Sequence, residues 1–254
     1  MKELNLTQGS VPKVLLQFAV PFLIANVLQA LYGGADLFVV GQYDDSASVA
    51  AVAIGSQVMH MLTVILVGLA MGTTVAVGQA VGAGDRKKAS LSIGNTVTLF
   101  LGVSVALTAV LLLCVRPIVG IISTPEEAVE GTVRYLTICF IGIPFITAYN
   151  IISSIFRGLG DSRSPMYFIT IACVANIVLD YVFMGVFHIG PAGAALGTII
   201  SQTISVITAL VAMGKKKIGI RVAGGDLKPQ GKVMGQLLRV GVPVACQDGL
   251  IQVA

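Results

Sequence analysis

The chain has 254 residues, of which 56% are hydrophobic and 11% are charged. Soluble domains carry about 25% charged residues, so this composition excludes an ordinary soluble protein and indicates an integral membrane protein. The formal net charge of +4 comes from basic residues in short loops between apolar runs. Basic loops of this kind normally mark the cytoplasmic side of a membrane protein, so the positive charge does not indicate nucleic-acid binding.

Six apolar runs are long enough to cross a bilayer as helices, since a span needs about 20 residues. They cover 14–40, 47–81, 89–115, 135–156, 164–187 and 189–213, and an incomplete seventh begins at 240. The sequence therefore predicts an all-α polytopic membrane protein whose core is a six-helix transmembrane bundle. The second run is too long for an untilted span, so we expect tilting or an extra turn at one end. Its glycines Gly68, Gly72 and Gly78 predict close packing against neighbouring helices.

The basic residues predict the orientation of these helices. If the N-terminus is cytoplasmic, all of the 16 lysines and arginines except Arg116 and Arg134 lie on the inner side. Such one-sided positive charge marks cytoplasmic loops. We therefore expect a multi-pass protein of a bacterial or archaeal plasma membrane with its N-terminus inside.

A polar stretch and a weak internal repeat predict the domain organisation. Residues 214–232 form the only long polar linker, and Leu237–Pro243 lines up with Leu15–Pro21 at a constant offset of 222. Repeated helix sets are common in transporters, and an even number of spans per repeat gives parallel halves. We predict a six-helix lobe at 1–213, a cytoplasmic linker at 214–232 and the start of a second lobe at 233–254, so that most of that second lobe is missing from this sequence.

The strongest functional signal is Asp180, an acid inside an apolar span with Asn176 one helical turn before it. A charge at the centre of a membrane helix costs about 2.5 to 3.5 kcal/mol, so such an acid is a candidate for ion or substrate handling. In the predicted topology Asp36, Asp180 and Thr198 all lie in the outer half of the membrane. We therefore predict that Asp36 and Asp180 face one cavity, where carboxylate, amide and hydroxyl oxygens bind Na⁺ or a proton.

Other polar residues in the spans are weaker candidates. Gln29, Tyr32 and Asp36 recur at spacings of three and four, which predicts one polar stripe facing a cavity. Asn150 could line an inward-open cavity, although amides and hydroxyls also serve as hydrogen-bonding contacts between helices. The functions of His60, a lone histidine in the second span, and of Asp248 in the incomplete seventh span are left open.

Two loops repeat a glycine-rich theme, Gly82–Arg86 after the second span and Arg157–Arg163 after the fourth. Such loops can bind phosphate, but neither has the P-loop spacing and neither follows a strand. Tight cytoplasmic turns closed by aspartate and arginine pairs are the better interpretation.

Taken together, Gln79–Asp85, Arg157–Asp161 and Asn176–Asp180 resemble the multidrug and toxic compound extrusion (MATE) family over the whole chain. The resemblance implies twelve helices in two six-helix lobes around a central cleft, exporting cationic or amphipathic organic compounds in exchange for Na⁺ or H⁺. It also implies a cation site in the first lobe. Carried over to this sequence, that site comprises Asp36, Asn176, Asp180 and Thr198, while Gln29 and Tyr32 match cavity-lining positions. Many members have a glutamate in the seventh helix, where this chain has Asp248 nearby.

The leading hypothesis is therefore cation-coupled efflux by alternating access, with Na⁺ or H⁺ as the coupling ion and no cofactor. A lipid-linked saccharide flippase of the same superfamily would have a more cationic cavity, whereas the charges within the predicted spans are all acidic. A non-transporting membrane scaffold would need no acids at a shared depth. An enzyme is not expected, because the spans hold no Ser/His or metal-ligand constellation.

Overall fold

The computed structural model describes residues 10–215 and 223–253, and every regular element in these ranges is helical. The α-helices are α1 (Val11–Tyr43), α2 (Ser46–Gly82), α3 (Arg86–Ile121), α4 (Glu126–Ile141), α5 (Ile143–Gly158), α6 (Arg163–Asp180), α7 (Pro191–Lys215) and α8 (Gly231–Val253). A π-helical turn at Tyr181–Val186 extends α6, and a 3₁₀ turn lies at Gly224–Leu227. Predictions for 1–9, 216–222 and 254 lie outside the described residues.

Among the described residues, five helices are long and apolar enough to cross a membrane, and α4 with α5 forms a sixth span that is broken. This confirms the all-α polytopic fold and the count of six spans. The long second run is one continuous helix, α2, of 37 residues. At 1.5 Å per residue it is about 55 Å long, well beyond the roughly 30 Å of a bilayer core, so its extra length adds turns to the same helix.

The predicted fourth span, 135–156, is wrong as a single uninterrupted helix. The structure has two helices there, α4 and α5, which meet at Gly142 with a bend of 51°. Pro144 lies in the first turn of α5, where its missing N–H group removes a backbone hydrogen bond that a continuous helix would need. The side chain of Ile199 on α7 packs at the bend, because a Cβ on Gly142 would be only 2.6 Å from its Cδ1.

The helix that carries Asp180 changes its winding directly after that residue. The predicted span 164–187 is helical almost throughout, but the last part, Tyr181–Val186, is π-helical. π-helical turns are rare and frequently occur at functional sites. The chain then reverses through His188 and Gly190, both with positive φ, and α7 runs back beside α6.

Two of the three glycines named on α2, Gly68 and Gly72, allow α8 to approach closely, as predicted. A Cβ on Gly72 would overlap the carbonyl oxygen of Leu237, and a Cβ on Gly68 would be 2.6 Å from Cα of Ala245. At Gly78 the nearest neighbour of such an atom, the carbonyl oxygen of Gly158, lies at an ordinary 3.5 Å. The polypeptide that follows the linker is therefore packed tightly on α2.

The two glycine-rich loops are tight turns, as predicted, and in each an aspartate accepts hydrogen bonds from backbone N–H groups. Their closure by aspartate and arginine pairs remains a prediction. Asp85 Oδ1 accepts a hydrogen bond from the N–H of Lys88 at 2.9 Å. Asp161 Oδ1 accepts from the N–H groups of Arg163 and Ser164 at 3.1 and 3.0 Å. Each aspartate satisfies donors at the start of the next helix, which have no partners within the helix itself.

Residues 223–230 of the linker pack against α3. Asp226, in the 3₁₀ turn, accepts a hydrogen bond on Oδ2 from the Ser90 hydroxyl at 2.6 Å, and Asn95 donates to its carbonyl oxygen at 3.3 Å. Asn95 Oδ1 in turn accepts from the N–H of Gln230 at 2.7 Å, and Thr98 donates to the carbonyl of Leu227 at 2.7 Å. We call the contact of residues 223–230 with α3 the linker latch. The predicted lobe and linker boundaries remain predictions.

Candidate cation site

The site is built around two aspartates from different helices. Asp36 lies on α1 and Asp180 is the last residue of α6, and their exposed fractions are 2% and 0%. Thr198 of α7 donates to the Asp36 carboxyl group, and the preceding residue, Gly197, lies against the Asp180 carboxyl group, so the two acids are close together. Two carboxylates close together in a dry site repel each other, and a proton or a cation bound there relieves this repulsion.

Amide and hydroxyl groups complete the cluster. Asn176 Nδ2 donates to Asp180 Oδ1 at 3.3 Å, across one turn of α6. Thr198 on α7 donates its hydroxyl to Asp36 Oδ2 at 3.1 Å. The structure thus brings together Asp36, Asn176, Asp180 and Thr198. The predicted topology had placed Asp36, Asp180 and Thr198 at a similar depth in the membrane. The role of the four residues as cation ligands remains a prediction.

Three oxygens in this cluster are buried and have no hydrogen-bond partner among the described residues: Asp36 Oδ1, Asp180 Oδ2 and Asn176 Oδ1. Buried polar atoms are almost always hydrogen-bonded, so unpaired acceptors that converge on one place require an explanation. Oxygens of carboxylates and amides are hard ligands, which suits Na⁺ or a proton. The part of the chain that the structure describes holds no group of three or more His, Cys, Asp and Glu side chains, the pattern of a transition-metal site.

Neighbouring residues that sequence reasoning missed hold the cluster in place. A Cβ on Gly197 of α7 would overlap Oδ1 of Asp180, so only glycine lets the carboxylate lie against this helix. Ser201, one turn from Gly197, contacts the Tyr32 hydroxyl, which donates to the carbonyl oxygen of Thr198 at 2.9 Å. Gly197 gives no signal in a sequence read alone, because its importance arises only when α6 and α7 meet.

The predicted polar stripe on α1 is divided between two places. Tyr32 and Asp36 belong to the aspartate cluster, whereas Gln29 lines a separate small cavity of about 60 Å³. That cavity lies between α1, α5 and the start of α6, and Asn150 also lines it. Arg157, which the sequence assigned to a loop, lies in α5 and lines the same cavity. The sequence analysis assigned no cation to a span, and the structure places this half-buried guanidinium in the last turn of α5.

Comparison with known proteins identifies the family. Residues 21–182, which include most of α1 and all of α6, match the MatE family model. This chain belongs to the MATE family. It is 32% identical to the probable multidrug resistance protein YpnP of Bacillus subtilis over 97% of the chain and 55% of that protein. It is 31% identical to the probable multidrug resistance protein NorM of Thermotoga maritima, over 93% of the chain and 51% of that protein.

Solved MATE structures have the same fold. The chain superposes with a TM-score of 0.90, at 26% identity, on a MOP superfamily transporter from Pyrococcus furiosus described as having a binding pocket of reverse polarity. It superposes with a TM-score of 0.89 on an outward-facing MATE transporter and 0.81 on an inward-facing one, both at 26% identity. These three matches cover 98%, 98% and 89% of this chain. They cover 55%, 55% and 51% of those chains, so the sequence spans about half the length of the MATE proteins it matches.

Two candidates lie apart from the aspartate cluster of this MATE chain. Asp248 is half-buried on α8, which packs on α2, and none of the hydrogen bonds described for Asp36 and Asp180 comes from α8. His60 is exposed on α2. The structure thus joins neither residue to the aspartate pair.

Proposed function

We propose that this MATE chain forms the first lobe of a secondary active transporter that exports small organic compounds in exchange for Na⁺ or H⁺. The observation that carries the proposal is the buried carboxylate pair, whose unpaired oxygens converge from α1 and α6 beside a hydroxyl of α7. A scaffold protein would have no use for such unpaired buried acceptors, which are costly wherever they lack a ligand.

Cation binding would act on the positions of these helices. Two carboxylates in a medium of low dielectric resist joint ionisation, so the pair is most stable with a proton or Na⁺ bound. A bound cation draws α1 and α6 together, and its release leaves repulsion between the two groups. This change drives transport only if the outward-facing and inward-facing states bind the cation with different affinities. Solved MATE structures of both states support this view of alternating access.

We infer the remaining properties from the family and the charge pattern. Relatives named for multidrug resistance support cationic or amphipathic organic substrates. A second six-helix lobe would complete the cleft, since the matched proteins are about twice as long as this chain. The protein would lie in the cytoplasmic membrane with its N-terminus inside, would need no cofactor beyond the coupling ion, and would transport its substrate without chemical change.

The test is gradient-driven transport by the protein at its natural length, reconstituted in proteoliposomes. We expect an imposed Na⁺ or H⁺ gradient to drive movement of ethidium, and Asp180→Asn to abolish it while insertion in the membrane is kept. Glu127→Gln, at an exposed acid in the first turn of α4, is the control and should transport normally. Wild-type transport rates in Asp180→Asn under both gradients would refute the proposed coupling site.

A further inference from the structure

A second group of unpaired buried atoms lies in the cavity between α1 and α5, and here the unpaired group is cationic. Arg157, in the last turn of α5, lines the cavity with its guanidinium. Its Nη2 donates to Ser154 Oγ at 2.9 Å, and its Cζ lies 5.6 Å from the centroid of the Phe22 ring. The Nε group is buried and has no hydrogen-bond acceptor among the described residues.

The described residues also supply no carboxylate to Arg157. The ion pair they contain joins Arg116, near the end of α3, to Glu130 in α4 and does not involve Arg157. Arg157 is half-buried, and a guanidinium that is partly removed from water without a counter-charge is unfavourable, which is why buried cations are nearly always paired. Arg157 lies near the C-terminal end of α5, where the helix dipole is favourable to a cation, but this dipole offsets only a small part of the cost of burying a charge.

The cavity beside Arg157 has the polar lining of an anion site. Ser153, one turn before Arg157, has a buried hydroxyl that lies beside Tyr149 without a well-formed hydrogen bond. Amide side chains from the facing helices, Asn26, Gln29 and Asn150, line the same space. A volume of about 60 Å³ holds a few water-sized groups, enough for a small oxyanion.

We propose that this cavity binds a phosphate-type oxyanion, which accepts hydrogen bonds from Arg157 Nε and the Ser153 hydroxyl. The planar guanidinium matches such anions with two parallel N–H donors. The charge pattern of the loops predicts that this end of α5 faces the cytoplasm, where both the phosphate of a lipid headgroup and soluble phosphate compounds are within reach.

Binding experiments on the protein at its natural length test the site and its source of anion. One arm titrates detergent-purified protein with inorganic phosphate and follows the thermal unfolding temperature. The other arm measures lipid retained by native mass spectrometry after transfer to nanodiscs of phosphatidylglycerol or of phosphatidylcholine. A response to inorganic phosphate identifies a soluble anion, and selective retention of phosphatidylglycerol identifies an acidic lipid.

Variants separate Arg157 from general positive charge. Arg157→Gln should weaken binding in the responsive arm about tenfold or more, since hydrogen bonds to charged groups are worth about 1.5 to 3 kcal/mol. Arg157→Lys should keep part of the affinity, because it retains the charge but loses the forked donors. Arg163→Gln changes an exposed arginine in the neighbouring turn and should bind like the wild type.

The proposal is wrong if the wild-type protein responds to neither probe, a result that does not depend on any variant folding. It is also wrong if Arg157→Lys or Arg157→Gln binds the responsive probe as tightly as the wild type.

Discussion

Two aspartate sites in this molecule lie among serine, threonine and asparagine side chains, yet the hydrogen bonding of their carboxylates differs. In the linker latch, Asp226 is half-buried and its Oδ2 accepts hydrogen bonds from the Ser90 hydroxyl and from the N–H of Ala223 at 2.6 and 2.9 Å. In the cation site, Asp36 and Asp180 are fully buried and each keeps an oxygen without a donor. Donors within the protein stabilise the Asp226 carboxylate, whereas the unpaired oxygens of Asp36 and Asp180 need a bound proton or cation.

The difference shows how to separate structural from functional acids in a membrane protein. A carboxylate whose oxygens have donors strengthens a contact, and its removal weakens that contact. A carboxylate that lacks donors in a dry site is costly until it takes up a proton or a cation, so its retention points to function. The same reasoning applies to a group of opposite charge in the Arg157 cavity, where the unpaired buried atom is the donor Nε of Arg157.

The largest expected effect is loss of coupled transport when either member of the buried pair is neutralised. Asp36→Asn and Asp180→Asn should each nearly abolish gradient-driven ethidium export in proteoliposomes. The double variant should be no worse than either single variant, because one loss already breaks the shared site. The Asp226→Asn variant should export normally, since Asp226 lies in the linker latch and not in the cation site. Additive partial losses from the two single variants would show that the aspartates act independently.

A smaller effect is expected from Gly197, which touches the site only through its lack of a side chain. Gly197→Ala should push the Asp180 carboxylate away from α7, at a cost of about 1 to 3 kcal/mol for overpacking. Coupling-ion affinity, measured by the ion concentration that half-activates export, should fall about tenfold. The control is Gly214→Ala on the same helix, where an added Cβ meets open space. Unchanged ion dependence in Gly197→Ala would show that the position of Asp180 against α7 is unimportant.

Much of this arrangement could be predicted from the sequence, and the remainder depends on how helices meet. Hydrophobic length and one-sided charge predicted the spans, and the four-residue spacing placed Asn176 beside Asp180. The break at Gly142 and Pro144 was visible in the sequence, but the apolar run continues across it and concealed the bend. No periodic pattern could reveal the overlap of Gly197 with Asp180, since that contact joins two helices.

Two other features were missed, one at the end of an apolar run and one in the polar linker. Arg157 follows the last apolar residue of its run and was assigned to a loop, yet α5 continues through it and turns its side chain into a cavity. Asp226 follows two glycines in the polar linker, a sequence typical of a turn. Its contact with Ser90 joins residues 136 positions apart and could not be predicted from local chemistry.

The latch itself should respond to loss of Asn95, which bonds to two parts of the linker. Asn95→Ala leaves the N–H of Gln230 and the carbonyl of Asp226 without their partner, at a cost of about 1 to 3 kcal/mol. Hydrogen exchange at residues 223–230 should accelerate about tenfold, while export falls far less than in Asp180→Asn. Ser104→Ala removes a hydroxyl bonded only within α3 and is the control. Exchange at the latch that matches the wild type would show that Asn95 does not hold the linker.

The smallest expected effect is a pH dependence confined to the latch. Hydrogen bonds from the Ser90 hydroxyl and the N–H of Ala223, with the nearby charge of Lys87, lower the pKa of Asp226 below its usual value of about 3.9. A carboxyl group with a lowered pKa in the folded state stabilises that state above the unfolded pKa and loses this contribution as pH falls through the folded pKa. Protection factors at residues 223–230 should therefore stay constant above about pH 5 and decrease below about pH 4. Asp226→Asn cannot titrate and should show lower protection at neutral pH with no further decrease on acidification. A wild-type latch that keeps its full protection at pH values well below 4 would mean that the carboxylate of Asp226 does not stabilise it.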